Sequence, residues 1–287
     1  MRAFEYFEPK TVGEATKYLF DHSEKARILA GGVDLIPRMR KEEFEMDYVV
    51  NIQRIEGLDS IDCDVSTGLR FGATATLHAL EVSEWVRKGY PVFYQAIHQI
   101  ASVQTKYMGT AVGNLCVGTP ASDVATALYA HGASLSISGP EGDRIEPIQE
   151  FCTDYRCTSL RRGEMVTGVF VPPMKKGEAC GFANLVRTHA DIAKLIVAVS
   201  IATEKDVCQE VRIAIGAAAA TVFRASKAEK TLMGRALTPQ TIGEAAEAAS
   251  GETRPISDLR STAEYRKEMT RVLVRRAIEK ATAAAKG

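Results

Sequence analysis

Apolar positions along the chain change period several times, and each change marks an element. Thr11-Val12-Gly13-Glu14 has the form of a capping box, and behind it Ala15, Tyr18 and Leu19 fall on one helical face. Residues 27–30 read as a short strand running into Gly31-Gly32, and residues 47–52 as a second strand, a spacing that suits a βαβ crossover. Residues 68–73 are strand-like, Thr76 opens a helix carrying Leu77, Leu80 and Trp85, and residues 91–101 predict another helix. A glycine-rich stretch runs from Gly109 to Asp123. Residues 133–138 then alternate with period two and stop at Gly139-Pro140, and residues 165–171 form a further strand ahead of Pro172-Pro173. Beyond that proline pair, 195–202 and 211–216 read as adjacent strands followed by three helices. Thr238-Pro239 supplies an N-cap and a first-turn proline. Ser261-Thr262-Ala263-Glu264 opens a helix predicted to turn Tyr265, Met269, Val272 and Leu273 inward, with Arg275, Arg276 and Lys280 in a solvated last turn. Pro172-Pro173 with Lys175-Lys176-Gly177 is the clearest boundary. The expected units are 1–55, 56–172 and 173–287, in an α+β architecture.

Composition narrows the function classes. The 287 residues carry 36 basic and 36 acidic side chains, which removes any general electrostatic attraction to nucleic acid or to a membrane surface. No apolar run approaches the ~20 residues of a membrane span. The start, Met1-Arg2-Ala3-Phe4-Glu5-Tyr6-Phe7-Glu8, carries acids and aromatics where a signal peptide would be basic and then apolar, so a soluble cytoplasmic protein is expected. The six cysteines form no C-x-x-C pair; Cys152 and Cys157 are five apart with no third close by, and free thiols in a reducing compartment are expected. The five histidines are dispersed, and no metal is predicted.

Two segments carry chemistry. In Leu29-Ala30-Gly31-Gly32-Val33-Asp34-Leu35 a strand ends in two glycines, which form either a tight turn or a loop whose amides approach an anion such as a pyrophosphate. The third glycine and long helix of G-x-G-x-x-G are missing. The second segment, 109–123, combines three glycines with Thr110, Asn114, Thr119, Ser122 and Asp123. It reads either as an ordered loop capping a helix from Ser122 or as a wall along a polyhydroxyl ligand. Asp123 would repel a phosphate and suits ribose or ribityl hydroxyls.

Taken together, A-G-G-x-D-L, then about 75 residues later G-T-x-x-G-N and P-A-S-D, resemble the flavin (medium) subunit of the molybdenum hydroxylases, the carbon monoxide dehydrogenase and xanthine dehydrogenase family. Gly72-Ala73-Thr74 matches that family's G-A-x-x-T in part, and Asp191-Ile192-Ala193-Lys194 matches its D-[IF]-A. Residues 255–266 resemble its closing P-[IV]-x-D-x-R-x-[ST]-x-x-Y-R, so the likeness spans the chain. It implies a two-subdomain PCMH-type (vanillyl-alcohol-oxidase-like) FAD-binding fold at 1–55 and 56–172. A C-terminal α/β domain with an antiparallel sheet and helices would follow at 173–287. It implies FAD held by Leu29, Ala30, Gly31, Gly32, Val33, Asp34 and Leu35 on one side, and by Thr74, Thr110, Gly113, Asn114, Ser122 and Asp123 on the other. Lys194 would be a cation near the flavin ring that tunes it electrostatically, with no acid–base catalytic residue. The implied partners are a small subunit with [2Fe–2S] clusters and a molybdenum-cofactor large subunit, in a dimer of heterotrimers. Electrons would leave to NAD⁺, a quinone or oxygen.

Three positions depart from the family pattern: Val112 where Gly is usual, Val33, and Gln104-Thr105-Lys106-Tyr107-Met108 without Arg-Asn. The cysteine-rich insertion of hydroxybenzoyl-CoA reductase flavin subunits has no counterpart. Two other readings are a structural subunit with a degenerate flavin site and a stand-alone flavin dehydrogenase; the second would need a Rossmann fingerprint or a positioned base.

Overall fold

The computed structural model describes residues 2–285. The strands Glu5–Phe7, Tyr48–Asn51 and Ala26–Leu29 form a parallel sheet in that spatial order, with helix Val12–His22 crossing over between the first and last. Thr11 Oγ1 accepts from Glu14 N at 3.1 Å, while Glu14 Oε2 takes the amide of Lys10, one residue before the cap, at 2.8 Å. The expected capping box is therefore half made.

A five-stranded antiparallel sheet follows, in the order Ile61–Asp64, Gly68–Gly72, Met165–Val171, Ser134–Gly139, Gly142–Pro147. Between its second and fourth strands the chain makes six short helices. Thr76 caps Leu77–Val82 as expected, but the helix stops at Ser83, whose hydroxyl caps a new helix, Glu84–Gly89. That break turns Trp85 out of the predicted face and leaves it 55% exposed.

The strands Glu178–Leu185, Leu195–Glu204, Val207–Gly216 and Phe223–Arg224 make an antiparallel meander, backed by helices Ser226–Leu232, Pro239–Glu252 and Ala263–Ala285. Leu195, Val197, Val199 and Ile201 join the core beneath those helices. Ile196 and Ala198, on the opposite face, join the core of the preceding sheets. An apolar run without alternation is what a strand buried on both faces requires. Between the two bodies lies helix Asp123–His131, whose residues 124–131 are all buried. It packs on Leu195–Glu204, on Val207–Gly216 and on helix Pro91–Gln99. A helix buried all round has to be enclosed, and this one holds Ser122 and Asp123 at its first turn, beside the C-terminal sheet.

In the last helix the buried positions are Arg266, Thr270, Leu273, Val274, Ala277, Ile278 and Ala281. Tyr265 is 47% exposed, so the inward face is rotated by one residue from the expected one. Arg266 occupies the inward position because Nη2 donates to Asp258 Oδ1 at 2.7 Å and Nη1 to Ala217 O at 3.2 Å. Lys280, expected in solvent, donates to Phe182 O at 2.9 Å.

Candidate functional site

Strand Ala26–Leu29 delivers the chain to Ala30, whose carbonyl accepts from Gln53 Nε2 at 2.5 Å. Leu29 and Leu35 pack against the small core of Met39, Met46 and Val49 and anchor both ends of the loop. Between them, Gly31 lies against the end of helix Val103–Met108. A β-carbon at Gly31 would sit 2.1 Å from Met108 O and 2.8 Å from Gly109 Cα, so only glycine lets these backbones touch. Gly32, at φ +70°, turns the chain in the left-handed region. Among the described residues, the amides of Gly31, Gly32, Val33, Asp34 and Leu35 donate to no other group of the chain; the first amide used is that of Ile36, to Gly32 O at 3.0 Å. Backbone donors are rarely left unpaired, and five in succession form a surface suited to an anion.

The second segment closes against the first. Leu77 N donates to Gly109 O at 2.8 Å and Ala111 N to Ala75 O at 3.3 Å, which lays residues 75–77 along 109–111. Thr74 is held there by its amide, 2.7 Å from Leu58 O, yet its buried Oγ1 has no hydrogen-bond partner. The stretch read as a loop contains a helix, Ala111–Cys116. Thr110 Oγ1 caps it by accepting from Gly113 N at 3.0 Å, and Ser122 Oγ caps the central helix by accepting from Ala125 N at 2.9 Å. Ser122 Oγ also donates to Asn114 Oδ1 at 2.6 Å. These hydroxyls serve the fold first, and the Asn114 side-chain Nδ2 has no partner among the described residues. Val112 is buried within the helix at 3% exposure and shows no left-handed backbone, so the position does not require glycine. Val33 is 43% exposed at the loop surface.

Asp123 stands at the first turn of the central helix. Burial pushes its carboxyl up to about 7, against a single opposing contact from Asn184 Nδ2 to Oδ1 at 3.5 Å and its own amide. Lys194 belongs to the same sheet end: its amide donates to Leu185 O at 2.7 Å, and the next residues, Leu195 and Ile196, pair with Leu185 and Asn184. The structure thus brings the Gly31 loop directly against the start of the 109–114 segment, with Thr74 joined to that segment through residues 75–77. Asp123 joins them through the Ser122–Asn114 bond, and Lys194 is connected only through the sheet end beside Asn184. Gln53, Met108 and Asn184 were not foreseen. Nothing in their local sequence distinguishes them, since each acts on a segment far away in the chain.

The sequence model for the FAD binding domain in molybdopterin dehydrogenase matches residues 2–174, and that for the CO dehydrogenase flavoprotein C-terminal domain matches 181–281. The chain belongs to this flavoprotein family. The carbon monoxide dehydrogenase medium chain of Afipia carboxidovorans is 33% identical, with 99% of this chain and 98% of the relative aligned. The xanthine dehydrogenase FAD-binding subunit of Escherichia coli O157:H7 is 28% identical over 98% and 97%. A solved carbon monoxide dehydrogenase from Hydrogenophaga pseudoflava superposes with a TM-score of 0.95 at 32% identity, covering 99% of this chain and 98% of that one. As a member of the family, the chain is an FAD-binding oxidoreductase subunit. Its residues fit that cofactor: unpaired amides for a diphosphate, an orphaned buried hydroxyl at Thr74, and a glycine contact that draws the two glycine segments together. Among the described residues no helix is long and apolar enough to cross a membrane.

Proposed function

We propose that this chain is the electron-transfer subunit of a molybdenum-containing hydroxylase or dehydrogenase complex in the cytoplasm. It receives electrons from the [2Fe–2S] clusters of a small subunit and passes them to NAD⁺, a quinone or oxygen. A molybdenum-cofactor large subunit oxidises the substrate, and the complex is a dimer of heterotrimers. FAD supplies one- and two-electron exchange when bound; the chain supplies binding, orientation and electrostatic tuning.

The loop 29–35 holds the diphosphate through the open amides of Gly31–Leu35. Thr74, Thr110, Gly113, Asn114, Ser122 and Asp123 form the facing wall, and Lys194 brings a cation from the C-terminal sheet. The observation that carries this proposal is the run of five unpaired amides from Gly31 to Leu35, in a loop packed through Gly31 against Gly109; the unpartnered buried Thr74 hydroxyl supports it. Its test is a visible spectrum of the purified chain before and after addition of FAD and desalting. Retained flavin bands bleached by dithionite, together with co-purifying iron–sulfur and molybdenum chains, are expected. Flavin missing from the native complex as well would overturn the proposal.

A further inference from the structure

Asp34 places a carboxylate within the same five-residue stretch whose amides are open. A fixed negative charge there opposes any anionic ligand, and that opposition has to be cancelled by the protein. Arg38, one helical turn on, puts Nη1 3.2 Å from Asp34 Oδ2 and Nε 3.0 Å from Glu43 Oε2. Glu43 in turn lies 3.9 Å from Arg156 Nη1, in the turn between the short paired strands Cys152–Asp154 and Cys157–Thr158, where the Arg156 amide donates to Gly118 O at 2.8 Å. Phe44 is shared between two guanidinium groups, Arg38 at 4.8 Å and Arg27 at 5.1 Å from its ring centre. Arg27, Arg38 and Arg156 against Asp34 and Glu43 leave one net positive charge beside the loop. Without Arg38 the sum is zero, and Asp34 loses the ion pair described here.

Fold stability does not account for this arrangement. Half-exposed ion pairs, including pairs one helical turn apart, contribute little to stability. Their effect on a bound anion is larger, because an uncancelled carboxylate would stand among the donors. We propose that Arg38 is a positioning residue of the flavin site: it holds Asp34 in an ion pair so that Gly31–Leu35 can accept the diphosphate. This rests on the reading that the chain binds FAD through that loop.

The test compares the full-length wild type, Arg38→Met, Asp34→Asn and the double variant. FAD affinity is read by flavin fluorescence and ADP affinity by competition. Arg38→Met should weaken FAD and ADP alike, by about tenfold. The double variant should return to within about threefold of wild type, a recovery that a merely structural arginine would not show. Asp34→Asn alone should bind at least as tightly as wild type, and it decides the matter if Arg38→Met fails to fold. Wild-type affinity in Arg38→Met, or a double variant as weak as the single, would overturn this inference alone. A wild-type chain binding neither FAD nor ADP would overturn the flavin reading and this inference with it.

Discussion

Asn184 and Asp123 meet across the boundary between the C-terminal sheet and the central helix, with Asn184 Nδ2 donating to Asp123 Oδ1 at 3.5 Å. Asn184 and the residue's own backbone amide do not offset burial, so the carboxyl is raised to about 7. At the other end of the same helix, His131 is lowered to about 4 by burial and by the nearby Arg212 charge. The two groups act on stability with opposite signs. Between about pH 4 and 7 the folded state holds a proton on Asp123 that the unfolded chain has lost, so this group lowers stability as pH rises. Between about 6.5 and 4 the unfolded chain holds a proton on His131 that the folded state lacks, so that group lowers stability as pH falls. In the flavin-free chain the two slopes offset each other from about pH 4 to 6.5. Asp123→Asn should tilt the profile so that stability rises with pH there, and should raise stability at pH 8 by ~1 kcal/mol or more. His131→Phe should tilt it the other way. Urea midpoints measured across pH 4.5–8 check both slopes.

Gly31→Ala should separate the two glycine segments, since its β-carbon would overlap Met108 O. The expected cost is about 2 kcal/mol of stability, with FAD affinity down by more than tenfold. Gly243→Ala is the contrasting change, in the interior of helix Pro239–Glu252 with nothing within 4 Å of the new methyl group. It should stabilise by about 0.5–1 kcal/mol and leave flavin binding unaltered. Denaturant unfolding and flavin titration of both variants are the measurement.

Thr74→Val removes a buried hydroxyl that has no partner in the chain. Without flavin the variant should match or exceed wild type, by up to ~1 kcal/mol. With FAD its affinity should fall about five- to tenfold, so the melting temperature gained on adding FAD shrinks. Equal FAD-induced shifts in wild type and variant would show that the hydroxyl does not serve the ligand.

Asp258→Ala should cost about 3 kcal/mol by leaving the buried Arg266 guanidinium without its carboxylate. Asp258→Ala with Arg266→Met should cost less than Asp258→Ala alone, because the second change removes the uncompensated charge. Thermal unfolding of the single and double variants checks the order.

Local signals made much of this legible. The strand runs at 195–202 and 211–216 lie within two paired strands, because an apolar segment buried on both faces reads as such without its partners. The Gly31-Gly32 loop was visible because glycine records a backbone need at its own position. Other features were not visible, for identifiable reasons. Gly113 and Asn114 are poor helix formers, and they hid the helix Ala111–Cys116. The cap that Thr110 provides was hidden together with that helix, whereas the cap at Ser122 was one of the two readings of its segment. Arg266 was missed as an inward residue because its partner lies eight positions earlier, in a turn.

The enclosure of helix Asp123–His131 also bears on how the chain is born. Synthesis completes this apolar cylinder before it reaches the strands Leu195–Glu204 and Val207–Gly216 that cover one side of it. Until those strands emerge from the ribosome, the nascent chain offers Val124 and its neighbours to water. A truncation ending near Val171 would preserve that exposure permanently. The amino-terminal segment is accordingly expected to bind chaperones during translation and to precipitate when expressed alone, even though it contains both glycine segments.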